Sequence, residues 1–160
     1  MFKFERRAEI GAVLGALLAV MAREAFAPGE WDAVAPVPLH RSRRRLRGYN
    51  PAERLARPLA RRLGLPLLRR ALRRTRPTPP QTGLPRRERL RNVRGAFRAP
   101  RPGRVQGRRI LLVDDILTTG ATAAECSREL LRAGAASVDL ITAARSFPDR
   151  FDSPGNRPVE

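Results

Sequence analysis

Runs of apolar residues between turns mark the buried strands of this chain. Residues 110–113 are four consecutive aliphatic residues, a pattern typical of a strand that is buried on both faces of a parallel sheet. Two further segments, 31–37 and 137–143, predict neighbouring strands. Residues 65–76 leave helix and strand open, since Leu68, Ala71 and Leu72 have helical spacing, and a strand is preferred because a β-α-β order needs one at this point.

Residues with helical periodicity fill the intervals between these strands. Residues 8–25 predict one helix, with an apolar face that consists of Ile10, Val13, Leu14, Leu17, Leu18 and Met21. A second helix is predicted to follow Asn50, where Asn50 caps the helix, Pro51 occupies its first position and Glu53 completes a capping box. Gly64 is a typical residue for the end of this helix.

The remaining segments complete one α/β domain. A helix is predicted over residues 121–133 and a short one over residues 86–92. The alternation of strands and helices predicts a parallel sheet flanked by helices, in a single domain over residues 1–146. Residues from about 73 to 108 are rich in Arg, Gly and Pro, so we expect a basic, flexible loop that is mobile or hairpin-like in its second half. Residues 147–160 are expected to form a C-terminal tail.

A chemically distinctive turn follows the strand at residues 110–113. Asp114 and Asp115 stand at the carboxyl end of this strand, and the turn continues with Thr118, Thr119, Gly120, Ala121 and Thr122. Backbone N–H groups at a helix N-terminus and threonine hydroxyls suit a phosphate, and glycine lets the backbone approach it closely. The carboxylates repel a phosphate but suit sugar hydroxyls or a divalent metal such as Mg²⁺. The turn therefore predicts a binding site for a ribose 5-phosphate.

Positive charge is concentrated in one part of the chain. The protein has 33 basic and 15 acidic residues, which gives a net charge of +18. Residues 41–109 contain 24 arginines and only two acidic residues, Glu53 and Glu88. A field of this strength attracts polyanions such as nucleic acid, although an arginine-rich solvated surface is the simpler alternative. Residues 41–48 hold five of these arginines and are interpreted as a loop after His40.

Composition excludes several classes of protein. A length of 160 residues with 42% apolar residues fits one globular domain. The sequence has no run of 18 apolar residues and no signal-peptide layout, so we expect a cytoplasmic protein. Its single cysteine, Cys126, excludes an intramolecular disulfide or a cysteine zinc cluster and is expected in the core. A P-loop and a strand-linked dinucleotide-binding glycine motif are both absent.

The segment from Val113 to Thr122 resembles the phosphoribosyl-pyrophosphate (PRPP) motif of type I phosphoribosyltransferases. The resemblance implies a type I phosphoribosyltransferase-like fold in which Asp114 and Asp115 hold the ribose hydroxyls and the threonine-glycine turn holds the 5-phosphate. An active member would also use Mg²⁺ with PRPP. The loop that would then face the pyrophosphate consists of Pro38, Leu39 and His40.

Further stretches resemble the ComF family, which is named for a competence protein needed for DNA uptake. The resemblance covers roughly residues 3–146, and the positions that carry it outside the PRPP motif include Arg47, Gly48, Asn50, Gln81, Arg89 and Asn92. It implies a cytoplasmic protein that works with a competence helicase, DNA-processing proteins and single-stranded DNA. It does not by itself establish catalysis.

Three functions stay open from the sequence. The preferred one is a ComF-like competence protein that binds PRPP or another ribose phosphate, together with single-stranded DNA or its partners. The second is an active phosphoribosyltransferase that transfers ribose 5-phosphate from PRPP to a nitrogenous acceptor, although no general base is obvious. The third is a protein that senses PRPP without turnover. The sequence also leaves a homodimer open.

Overall fold

The computed structural model describes residues 2–77 and 86–146, so the predicted tail at 147–160 lies outside the described residues. In chain order the elements are helix α1 (Phe2–Ala25), strand β1 (Ala33–Pro36), α2 (Arg41–Arg47), α3 (Pro51–Leu63), β2 (Arg73–Arg74), α4 (Arg86–Val93), β3 (Phe97–Arg98), a 3₁₀ helix (Pro102–Arg104), β4 (Arg109–Leu117), α5 (Ala121–Arg132) and β5 (Ser137–Arg145). Among the described residues, no helix has both the length and the apolar character needed to cross a bilayer.

The central sheet is parallel, with strands in the order β1-β4-β5, which confirms the predicted α/β class. The segment at residues 65–68 adds one parallel bridge to β1. The amide of Val34 donates to the Pro66 carbonyl at 3.0 Å, and the amide of Leu68 donates to the Val34 carbonyl at 2.8 Å. This segment therefore has the strand-like pairing that the β-α-β order requires, limited to a single bridge.

Strand β4 is covered on both faces, as its unbroken apolar run predicts. Ile110 and Leu112 belong to a cluster that includes Cys126 and other buried residues of α5. Leu111 and Val113 belong to a second cluster, formed with buried residues of α1 and α3. All four strand residues are at most 1% exposed, so α1 and α3 lie on one side of the sheet and α5 on the other.

Helix α1 packs on α3 through small residues rather than through its large apolar ones. Within residues 10–25 of α1, whose burial is described, the buried positions are Gly11, Gly15, Leu18, Ala19 and Ala22. The predicted apolar face was assigned wrongly, because only its Leu18 is buried and the other members are exposed, with Val13 at 59% and Met21 at 60%. A Cβ added at Gly15 would lie 2.4 Å from Pro58 Cγ and 2.5 Å from the Leu55 carbonyl oxygen. Glycine at this position therefore lets the two helices approach closely.

Residues 41–47 form helix α2, where a loop was predicted. At its start, the amide of Ser42 donates to Nδ1 of His40 at 3.3 Å, which caps the helix. At its end, Gly48 has a φ of 78° and its amide donates to the Arg44 carbonyl at 2.8 Å. Capping at both ends thus supports a short helix in a segment whose composition predicts none.

Part of the predicted basic loop at residues 73–108 has regular structure. Strands β2 and β3 form a short antiparallel ladder near the two ends of this segment. Two glutamates of α5 accept hydrogen bonds from the chain beside β3: Glu125 from the amide of Gly95 at 2.7 Å and Glu129 from the amide of Ala99 at 3.1 Å. These bonds dock the ladder onto α5, whereas the flexibility of the segment stays a prediction.

The close contact of α1 and α3 makes Gly15 a sensitive position. We expect Gly15→Ala to lower the free energy of unfolding by about 1–3 kcal/mol, because the new methyl group meets backbone and a proline ring. This loss should exceed the roughly 0.5–1 kcal/mol that alanine adds to an isolated helix. Urea denaturation followed by circular dichroism measures the difference.

Gly11→Ala is the matched control in the same helix. Its added Cβ would lie 3.3 Å from Cβ of Arg54, a contact that a small shift relieves. Its stability should therefore stay near that of the wild type. Equal or greater stability of Gly15→Ala relative to Gly11→Ala would contradict the close packing.

Candidate functional site

A cavity of about 430 Å³ lies at the carboxyl ends of β1 and β4. The residues that line it come from the loop after β1, from α2, the start of α3, β2, the end of β4 and the first turn of α5. Ten of the residues singled out from the sequence line this one cavity: Pro38, Leu39, Arg47, Asn50, Asp114, Asp115, Thr118, Gly120, Ala121 and Thr122.

The turn between β4 and α5 presents backbone donors to the cavity. Strand β4 extends through Leu117, beyond the predicted end of the apolar run, and the Leu117 carbonyl accepts from the amide of Ser146 at 2.9 Å. Gly120 has a φ of 74°, in the left-handed region that favours glycine, and α5 begins at the next residue. The first N–H groups of a helix have no acceptor within the helix, so this turn places donors where an anion can bind.

Thr119 is the one residue of the predicted turn that does not line the cavity. Its Oγ1 is buried and has no hydrogen-bond partner in the described part of the chain. A buried hydroxyl without a partner costs free energy, so the turn is not optimised for the stability of the protein alone.

The two adjacent carboxylates interact with each other, and burial together with this interaction raises the pKa of Asp114. The amide of Asp115 donates to Oδ1 of Asp114 at 3.0 Å. Burial, together with the negative charge of Asp115, raises the pKa of Asp114 from 3.8 to about 7, and the nearby Arg74 offsets part of this rise. Near neutral pH the pair therefore carries less than its full negative charge, which lowers the repulsion toward a phosphorylated sugar.

The donor set at this pair suits Mg²⁺ only together with a ligand. Carboxylate oxygens are ligands that Mg²⁺ prefers, and Asp114 and Asp115 supply them. The described residues contain no group of three or more His, Cys, Asp or Glu side chains that could hold a metal. Because Mg²⁺ is commonly bound by one or two carboxylates plus substrate phosphates, a phosphorylated ligand would complete its coordination here.

A hydrogen bond from Asn50 holds the loop after β1. Its Nδ2 donates to the carbonyl of Val37 at 2.9 Å, and the amide of Val37 donates to the carbonyl of Val113 in β4 at 2.9 Å. Pro38 and Leu39, which follow directly, are thereby held at the cavity. Asn50 is the N-cap residue of α3 and Pro51 is its first residue, as predicted, but the Asn50 side chain makes no capping hydrogen bond.

Several candidate residues do not meet at the cavity. His40 caps α2 and Gly48 ends it, and neither lines the cavity. Asn92 lies in α4 and does not line it either. Gln81 lies outside the described residues, and so does the side chain of Arg89, whose backbone belongs to α4.

Arg43 and Arg74 line the cavity but were not singled out from the sequence. Arg74 is only 8% exposed, and its Cζ lies 5.3 Å from the centroid of the Phe97 ring across the β2–β3 ladder. Burial, with the nearby charge of Arg43, lowers its pKa. No sequence signal distinguishes Arg74 from the other arginines of this segment, because its burial depends on the pairing of β2 with β3.

The raised pKa of Asp114 has a measurable effect on stability. Between pH 3.8 and about 7 the folded protein binds a proton at this carboxyl that the unfolded chain has released, so the free energy of unfolding falls as pH rises through this window. Asp114→Asn removes the titration. We expect the stability of the variant relative to the wild type to increase with pH over this window and then to level off, as measured by chemical denaturation at several pH values.

Asp32→Asn is the control for this experiment. Hydrogen bonds from the Arg109 side chain and amide lower the pKa of Asp32 from 3.8 to about 2. Its contribution to stability is therefore complete above pH 3.8 and is lost only as the pH falls toward 2. Between pH 3.8 and about 7, the difference in free energy of unfolding between Asp32→Asn and the wild type should stay constant, whereas the corresponding difference for Asp114→Asn should change. A flat Asp114→Asn difference would contradict the raised pKa.

Comparison with known proteins finds relatives that are named for DNA utilization and for competence. The chain is 41% identical over 148 residues to the DNA utilization protein YhgH of Escherichia coli K12 and to that of Salmonella typhi. It is 35% identical over 149 residues to Competence protein F of Haemophilus influenzae. Each alignment covers 91% of this chain, which spans only 64% of the YhgH proteins and 65% of Competence protein F. The predicted ComF resemblance is confirmed.

The fold has relatives among solved structures. The glutamine PRPP amidotransferase from B. subtilis, complexed with ADP and GMP, superposes with a TM-score of 0.56 and 25% identity over 83% of this chain and 26% of its own. A structure titled as the allosteric regulatory enzyme of purine biosynthesis superposes with a TM-score of 0.54 at 24% identity, over 84% and 26% of the two chains. The family described as Phosphoribosyl transferase domain matches residues 9–153. This chain, with its predicted type I fold confirmed, belongs to the phosphoribosyl transferase domain family.

Proposed function

We propose that this protein acts in DNA utilization of the competence type. In this proposal its phosphoribosyltransferase-like domain binds PRPP or another ribose phosphate, and its arginine-rich part binds single-stranded DNA or proteins that handle it. The observation that carries the proposal is the cavity that brings together the carboxylates of Asp114 and Asp115 and the N-terminal turn of α5. The names of the YhgH and Competence protein F relatives support the role in DNA metabolism.

Different groups in the cavity would bind the phosphate and the ribose of the ligand. The amides at Gly120 to Thr122 and the Thr118 hydroxyl suit the 5-phosphate, since N–H and O–H groups at a helix N-terminus are donors to an anion. Asp114 and Asp115 suit the ribose hydroxyls as acceptors. When bound with PRPP, Mg²⁺ would neutralise part of the charge on the phosphate oxygens.

The place of action follows from the same proposal. A protein that binds single-stranded DNA after the DNA has entered the cell would work in the cytoplasm, beside a competence helicase and DNA-processing proteins. The excess of arginine in residues 41–109 supports contact with nucleic acid, because guanidinium groups bind phosphates at any physiological pH. Co-purification with such a helicase would support this partner.

Asp115→Asn tests the ribose half of the proposal. The amide accepts less strongly from a hydroxyl and does not bind Mg²⁺ as a carboxylate does, so we expect PRPP affinity to fall by about tenfold to a hundredfold. Isothermal titration calorimetry with Mg²⁺ and PRPP measures this. Glu24→Gln, which removes an exposed carboxylate from α1, is the control and should bind like the wild type. Unchanged affinity of Asp115→Asn would remove the ribose role.

A second function, phosphoribosyl transfer, is favoured by one observation. A neighbouring cavity of about 450 Å³ shares Pro38, Leu39, Asn50 and Arg74 with the ribose-phosphate cavity, and an acceptor could occupy it. Against turnover, the single histidine of the chain, His40, caps α2 and does not line the ribose-phosphate cavity.

Pyrophosphate release separates the two functions. We expect no release from PRPP when the protein is incubated with Mg²⁺ and a panel of nitrogenous bases, because Asp114 and Asp115 are assigned to the ribose hydroxyls and no histidine or further carboxylate lines the described cavity. A coupled assay for pyrophosphate measures this, with a purified phosphoribosyltransferase as positive control. Release with any one base would establish the enzyme function instead.

A further inference from the structure

Three surface depressions meet at one buried carboxylate. Cavities of about 450, 580 and 370 Å³ are all lined by Glu53, Arg44 and Arg69. We call the two that lie toward β2 and the 3₁₀ helix, of about 450 and 370 Å³, the Glu53 groove. Its charged lining, apart from Glu53 and the buried Arg74, consists of Arg41, Arg44, Arg69, Arg70, Arg73, Arg101 and Arg104.

Glu53 organises this groove. Its side chain is 11% exposed and pairs with Arg69, with Arg57 at 3.6 Å and with Arg44 at 3.7 Å. Glu53 lies in the first turn of α3, at the predicted capping-box position, and its carboxylate makes these ion pairs. Because Glu53 is the one carboxylate that lines the groove within the described residues, it fixes two of the groove arginines and leaves the charge of the groove strongly positive.

The other groove arginines are available to a ligand. No ion pair joins Arg41, Arg70, Arg73, Arg101 or Arg104 to a carboxylate among the described residues, and all five are exposed. They come from α2, from β2 and the segment before it, and from the 3₁₀ helix and the residue preceding it, so distant parts of the sequence converge here. Clustered like charges gather counterions, and a polyanion that replaces those counterions gains free energy from their release.

The groove is separate from the ribose-phosphate cavity but adjoins it. Pro38, Leu39, Asn50 and Arg74 line both, whereas the Asp114–Asp115 pair lines only the ribose-phosphate cavity. A polynucleotide in the groove therefore avoids the carboxylates that would repel its phosphates. Anions in both sites would lie close to these shared residues and repel each other.

The groove offers contacts to a backbone rather than to bases. None of the residues that line it is aromatic. Tyr49, which lines the adjoining depression, is covered by Arg54, whose Cζ lies 3.8 Å from the centroid of the ring. Sequence-independent binding through phosphates is the mode that such a lining supports. A flexible single strand can bend into a concave surface that a rigid duplex spans.

We propose that single-stranded nucleic acid lies along the Glu53 groove, held by its backbone phosphates, and that a phosphorylated ligand in the adjoining cavity weakens this binding. The inference rests on the proposed function in assigning the arginines to nucleic acid. Beyond the proposed function, the inference specifies the surface that nucleic acid contacts, the contact through backbone phosphates, and the antagonism between nucleic acid and the phosphorylated ligand. Because such coupling is reciprocal, bound nucleic acid lowers the affinity for the phosphorylated ligand by the same factor.

The double variant Arg70→Gln/Arg101→Gln tests the groove. Binding of a fluorescent oligothymidylate is measured by anisotropy over a salt series. The slope of log affinity against log salt should decrease in magnitude by about 1.4, since each phosphate contact contributes about 0.7 for a single strand. In the wild type, saturating Mg²⁺ and PRPP should lower the affinity for the oligothymidylate. The affinity of the double variant for PRPP, measured by calorimetry, should equal that of the wild type.

Arg91→Gln/Arg94→Gln is the matched control. It removes the same charge from the depression at α4 and α5, which also contains Glu125 and Glu129, and should leave the slope unchanged. Equal losses in the two variants, an unchanged slope in the groove variant, or equally tight binding of a duplex would overturn the inference. If PRPP does not bind but the salt slopes of the two variants still differ, the proposed ribose-phosphate site and the antagonism between the two ligands are contradicted. The assignment of nucleic acid to the Glu53 groove is then still supported.

Discussion

The burial of β4 between two core layers positions all the chemistry of this domain. Each residue from Ile110 to Val113 is held on one face by α5 or on the other by α1 and α3, so the strand has a single register. Val113 pairs with Pro36 of β1, and the loop after β1 and the turn after β4 therefore leave the sheet at the same edge. This is the edge at which open parallel sheets bind their ligands. The carboxylates need no other support to reach it.

Charge is divided between two neighbouring surfaces by the same architecture. The acidic pair lines the cavity at the edge of the sheet, and the single groove carboxylate, Glu53, is used to align arginines rather than to contact a sugar. Arg74 lies on the shared wall, buried and beside Phe97. In the proposed function, this small domain would hold a phosphorylated sugar and a polyanion side by side, and electrostatic repulsion between the two anions would couple their binding.

Local signals predict the strands and the turn, whereas long-range packing decides the rest. The apolar run at 110–113 and the turn that follows it are continuous in sequence, so their structure can be read directly. The buried face of α1 cannot be predicted in this way, because it depends on how closely Gly15 lets α3 approach. The burial of Arg74 depends in the same way on the pairing of two-residue strands, which composition does not encode. Glu53 sits at a capping-box position, yet arginines from three segments of the chain attract its carboxylate instead.

The two surfaces differ in the groups that an acid shift affects. The groove is lined mostly by arginines, which bind phosphates as cations. The carboxyl of Asp114 instead gains a proton near neutrality. In the proposed function, a modest drop in pH would therefore lower the negative charge of the Asp114–Asp115 pair, which does not line the groove proposed for a polyanion.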